Sequence, residues 1–198
     1  MTPMVRLPLT IEYALLGFLR HGPWHGYEIH RQLSDPAGLG LVWRLKQSQL
    51  YALLAKLEDA GYVTAAVEPQ EARPPRKVFE LTRLGREAFL DWVHSPVPHG
   101  REVRLHFLAK LYFAWREGAE VTIRLIEQQR AACQDWLAAH QATSHALPDS
   151  PAYAWLVHQF RVAQIEAMLA WLNGCQQAVT GIQHSKDSPL NHSQQEPL

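Results

Sequence analysis

The chain has 198 residues, 47% of them hydrophobic, with 19 Lys plus Arg against 19 Asp plus Glu. Zero net charge does not imply a partner captured by bulk electrostatics, so attraction to any polyanion must come from a local patch. The two cysteines, Cys133 and Cys175, lack the close spacing of a disulfide framework or a thiolate metal site and are expected to be small core residues of a reduced protein.

The segment "LTIEYALLGFLRHGP" predicts a first helix, with Thr10 as N-cap, Ile11, Leu15, Leu16, Phe18 and Leu19 as its apolar residues, and a stop at Gly22 and Pro23. A second short helix follows, with Tyr27, Ile29 or His30, and Leu33 on its apolar side and ended by Pro36 and Gly38. The third, "QSQLYALLAKLEDAG", is the best formed. Leu50, Leu53, Leu54 and Leu57 fall at i, i+3, i+4 and i+7, and Gly61 supplies a C-terminal stop. At about 100° per residue the opposite direction holds Ser48, Ala52 and Ala55, flanked by Gln49, Lys56 and Tyr51.

Beyond this helix the period changes. Residues 62–68 and 77–82 are β-prone, and the proline-rich "PQEARPPR" between them predicts a hairpin with a long tip. "TRLGREAFLDWV" returns to helical spacing, with Thr82 and Thr64 as cap or turn residues, and "SPVPHG" breaks it. Three further helical segments follow, and from Gly181 the chain is rich in His, Ser, Gln and Pro without periodicity. The expected organisation is mostly α: a winged helix-turn-helix domain over 1–95, a helical dimerisation domain over 100–180, and a disordered tail over 181–198.

Three helices followed by a hairpin place the third helix in a DNA major groove and the hairpin against the adjacent backbone or minor groove. Ser48, Ala52 and Ala55 are small enough for the helix to lie close to base edges, and Gln49 can offer its amide to adenine. Lys56 can reach a phosphate, and the N–H groups at the helix start near Gln47 and Ser48 can hold another. From Arg73 to Arg86 there are five cations (Arg73, Arg76, Lys77, Arg83, Arg86) against Glu80 alone, a net +4. Arginines on a proline-stiffened tip suit phosphates and a narrow minor groove.

These residues resemble a family. "ALLGFLRHGPWHGYEIHRQL", "LKQSQLYALLAKLEDAGYV" and "RPPRKVFELTRLGREAFLDWV" are similar to the first two helices, the recognition helix and the wing of PadR-like transcriptional regulators, and "RLHFLAKLYFA" and "IEAMLAWLN" to the helical dimerisation region of its virulence-activator-like branch. The resemblance implies a homodimer bound to a double-stranded operator with two half-sites, often as a repressor released by a small molecule. Tyr27, Tyr51, Arg73, Arg76 and Lys77 match the family's motif positions. Lys46 and Gln47 stand where many members open the recognition helix with Ser and Pro, so the base contacts are expected to differ. Because such regulators hold aromatic or lipophilic effectors between domains or subunits, Trp92 and Trp115 near the 95–100 break are candidate effector contacts.

Blander assignments compete. Tyr27 and Tyr51 can pack between helices, Ser48 and Gln49 can be cap and surface residues, and Arg83 and Arg86 can line a solvated face. The tryptophans can be core or interface anchors. Eleven histidines form no ligand spacing, and no nucleophile elbow, P-loop or zinc-protease helix is present, so neither cofactor, metal nor enzymatic activity is expected. No apolar run approaches a membrane span, and Glu12 interrupts the one N-terminal stretch resembling a signal peptide, so a soluble cytoplasmic protein is expected. The functional alternative is a winged-helix protein-interaction module without a DNA target.

Overall fold

The computed structural model describes residues 12–70, 73–145 and 152–187; side chains are described over 12–69, 76–143 and 153–182. Thr10 and Ile11 therefore lie outside the described residues. The chain forms two compact units, 1–117 and 118–198.

In the first unit, α1 (Glu12–Phe18) ends in a 3₁₀ turn, β1 (Trp24–His25) leads into α2 (Gly26–Leu33), and α3 (Gln47–Asp59) follows. β2 (Val63–Gln70), β3 (Arg73–Leu81) and α4 (Arg83–Val93) come next, and α5 (Leu108–Glu117) closes the unit. The leucine stripe holds α3 in place, with Leu50, Leu54 and Leu57 fully buried. Its end is fixed by two hydrogen bonds, from the Tyr62 N–H to the Leu57 carbonyl and from the Gly61 N–H to the Glu58 carbonyl, each 2.9 Å. That pairing requires a left-handed residue, supplied by Gly61 at φ 75°. Thr82 caps α4: its Oγ1 accepts from the Gly85 N–H at 3.0 Å and donates to the Gly61 carbonyl at 2.8 Å.

The sheet has the order β1-β3-β2, all antiparallel. Two expectations need correction. The hairpin tip is short, because the strands extend to Gln70 and from Arg73. Pro69 is tolerated where the pairing register shifts between Glu68 and Gln70, on a strand with only one neighbour. The third strand, β1, was absent from the expected pattern, since two residues carry no periodicity.

The first unit also runs past the break expected at 95–100. After a 3₁₀ turn (Gly100–Glu102) and a π turn (Val103–Phe107), α5 belongs to the first unit because Phe113 and Ala114 complete its core. The Phe113 ring meets Phe18 edge-on at 5.3 Å and Phe89 at 5.6 Å. Lys110, on the same helix, is buried; its ammonium donates to the Ser95 carbonyl at 2.7 Å and lies 5.4 Å from the Trp92 ring centre.

Burial pulls the Lys110 pKa from 10.5 down to about 8, against the opposing pull of Glu102. The folded state thus loses this proton at lower pH than the unfolded chain, so Lys110's contribution to stability is least favourable below pH 8 and improves as pH rises from about 8 towards 10.5. The difference in urea-unfolding free energy between wild type and Lys110→Met is expected to climb across that window. A difference flat in pH contradicts the assignment.

The second unit is a hairpin of two long helices, α6 (Ala119–His145) and α7 (Ala152–Asp187). Ile165, Leu172 and Val179 repeat every seven residues and are buried, as are Leu125, Ile126 and Cys133 on α6. Gln176 and Arg130 tie the helices together at 2.8 Å, and Gln176 also donates to Glu127 at 3.0 Å. Cys133 is buried and Cys175 half-buried, both unpaired. The tail expected from Gly181 is helical through Asp187; residues 188–198 lie outside the described residues. Among the described residues no helix is long and apolar enough to cross a membrane, and no cluster of three or more His, Cys, Asp or Glu could hold a metal.

Candidate nucleic-acid interface

The leucine stripe that buries one side of α3 leaves the other open. Lys46, Gln47, Ser48, Gln49, Ala52 and Ala55 are all exposed. Small side chains make this a face that can approach a groove floor closely. Gln49 has a structural task as well: its Oε1 accepts from the Lys46 backbone N–H at 3.0 Å, half of a capping box. Its amide nitrogen keeps its donors, and its oxygen keeps a second lone pair beyond the one that accepts from Lys46.

Tyr51 is 39% exposed and leans on α2. A Cβ added at Gly26 would come within 2.7 Å of its ring, so the absence of a side chain at Gly26 is what admits it. Tyr27, 42% exposed, stacks on His25 with ring centres 5.7 Å apart and an interplanar angle of 20°. The Arg76 guanidinium lies over the Tyr27 ring, 5.2 Å from its centre.

The cationic cluster expected from sequence is divided. Residues paired across antiparallel strands share a face, so His25, Val78, Arg76 and Glu68 lie on one side of the sheet. Lys77 falls on the other, with buried Phe79 and Leu81, and its ammonium meets Glu58 of α3 at 3.2 Å. Lys56 likewise has a protein partner, the buried Glu12, at 3.0 Å. Both lysines therefore bind parts of the unit together, and neither is the unpaired cation that the helix face and wing motif suggest. The Arg73 side chain lies outside the described residues, while its backbone pairs with Gln70 beside the tip. Lys46 and Arg76 have no ion pair among the described residues. Arg83 pairs with Glu87 one turn on, as a solvated helix face would.

Sequence reasoning from the α3 face alone omits Arg44, which is exposed and also free of ion pairs among the described residues. Its signal was the alternation of cations in "RLK" immediately before the helix start. Trp92 and Trp115 differ in access. Trp92 is 8% exposed, stacked on Tyr13 at 5.7 Å, and forms one wall of an open groove of about 410 Å³ with Tyr13, Tyr62 and Leu84. Trp115 is 51% exposed on α5.

A short three-stranded sheet, a leucine-backed third helix with an exposed polar face and a wing whose Arg76 has no ion pair among the described residues define a winged helix-turn-helix unit of the DNA-binding kind. Residues 15–91 match the family model described as "Transcriptional regulator PadR-like family", and residues 103–180 match the model described as "Virulence activator alpha C-term". The chain is similar to the negative transcriptional regulator PadR of Bacillus subtilis (strain 168), at 28% identity over 181 residues, which span 82% of this chain and 97% of that protein. The solved complex of Bacillus subtilis PadR with operator DNA matches at 27% identity over 86% of this chain and 99% of that one, with a TM-score of 0.42. The same protein with p-coumaric acid matches at 27% identity over 87% and 99%, with a TM-score of 0.37.

Proposed function

We propose that the chain is a homodimeric, operator-binding repressor of the cytoplasm, released from DNA by a small aromatic or lipophilic effector. The observation that carries this reading is the exposed, small and polar face of α3, backed by buried leucines and lying in the same unit as the Arg76 wing. The two family-model matches support it, and the negative regulation named for the Bacillus relative favours repression. No catalytic role is part of the reading.

Ser48, Ala52 and Ala55 admit the helix to the major groove, and Gln49 supplies donors to a base edge. Lys46, with the N–H groups of Gln47 and Ser48 at the helix start, takes a phosphate, and Arg73 and Arg76 take backbone or minor groove beside it. Tyr51 borders this surface. Lys56 and Lys77 hold Glu12 and Glu58 and so fix the geometry of α3 and the wing. Of the two tryptophans, Trp115 is the more accessible to an effector.

Assembly rests on α7. Tyr153, Trp155, Leu156 and Phe160 are exposed near its start, an aromatic surface that a second copy would cover. The experiment is selection of an operator from genomic fragments by the full chain, followed by release with a panel of phenolic acids, p-coumaric acid first. Enrichment of a two-half-site operator and its release by one member of the panel are expected. Failure to enrich any sequence overturns the reading, whereas enrichment without release removes the proposed class of effector.

A further inference from the structure

We infer that Tyr27 is a positioning residue: its ring is the platform that aims the Arg76 guanidinium of the wing at DNA, and its hydroxyl is not a phosphate ligand. The inference rests on the DNA-binding reading above. Tyr27 is the second residue of α2, and the start of that helix is fixed because the His25 backbone N–H donates to Glu28 Oε2 at 2.9 Å. His25 belongs to β1, where its Cα pairs with Val78 of β3, so the helix start and the wing strand are tied together directly. The His25 ring stacks on Tyr27, and His25 Nε2 lies 3.8 Å from Glu68 Oε2 on β2.

Arg76 sits in this assembly as the strand partner of Glu68, with its guanidinium 5.2 Å from the centre of the Tyr27 ring. A long side chain on a narrow strand pair would otherwise sample many rotamers, and holding it over a ring cuts the entropy lost when it meets a phosphate. Arg76 has no carboxylate ion pair among the described residues. An aromatic face orients the cation without neutralising it, which a carboxylate in the same place would do. The charge stays available to DNA.

The test is a mutant cycle on operator binding by the full chain, read as affinity and salt dependence with the selected duplex. Wild-type binding to that duplex checks the underlying reading separately, before any variant is compared. Tyr27→Phe keeps the ring and is expected to bind within about twofold of wild type. Tyr27→Leu is expected to bind roughly three- to tenfold more weakly, the size of a partly solvated cation–π contact. In an Arg76→Ala background the same Tyr27→Leu change is expected to have no further effect. Tyr27→Met replaces the leucine variant should that one melt early. Equal losses for Tyr27→Phe and Tyr27→Leu would assign the role to the hydroxyl. An undiminished loss in the Arg76→Ala background, or no loss in any ringless variant, would likewise overturn the inference.

Discussion

Phe113→Ala is expected to destabilise the first unit by about 3–5 kcal/mol, the range for emptying a fully enclosed aromatic site. Phe113 is nearly inaccessible, and four rings surround it: Phe18, Phe89, Trp92 and Tyr112, with centres 5.0 to 6.2 Å away. Most of these contacts are edge-to-face, which adds to the area term and leaves a hole that no neighbour is free to fill. The shift in melting temperature should be on the order of 10–20 °C. Trp115→Ala is the control, since that ring is half exposed on the same helix and its loss should cost within about 0.5 kcal/mol. Equal melting temperatures for the two variants would show that α5 is not part of the first unit's core.

The second large effect concerns DNA. Replacing Arg73 and Arg76 together by alanine should weaken binding to operator and non-operator duplexes alike, because contacts to phosphate carry no sequence information. It should also flatten the plot of log affinity against log salt by about 1.8 per half-site, at about 0.9 for each phosphate neutralised. Lys77→Ala is expected to behave differently. Its ammonium is engaged with Glu58, so removing it chiefly loosens the wing's attachment to α3 and should change the salt slope less than either arginine does. A double arginine variant with an unchanged slope would remove the wing from the DNA-binding surface.

How far the molecule can be read from its sequence varies by element, for physical reasons. α3 is legible in position and end, because three of the four expected leucines, Leu50, Leu54 and Leu57, are buried and Gly61 stops it, whereas Leu53 at the edge of the stripe is only half-buried. The wing is legible as a hairpin but not in length. Prolines discourage a strand reading, yet a strand with a free edge and a register shift accepts them. The limit of the first unit is not legible, since Pro96, Pro98 and Gly100 look like a linker and only the packed structure shows Phe113 completing the core.

The candidate interface divides in the same way. Exposure of Ser48, Gln49, Ala52 and Ala55 follows from helical geometry alone. The pairing of Lys56 with Glu12 spans 44 positions, and that of Lys77 with Glu58 spans 19, so neither could be foreseen from local pattern. Counting cations along the chain therefore overstates how many remain free for DNA. The division of Arg76 and Lys77 between sheet faces is the exception, because adjacent strand residues alternate once the strand is placed.

The central claim is that the α3 face gives this chain preference for one DNA sequence. The most direct measurement is an equilibrium titration of the full chain against its selected operator and against a scrambled duplex of the same length and composition, both at about 0.15 M salt. A preference for the operator on the order of 10³-fold or more is predicted. Equal affinity for the two duplexes would contradict it.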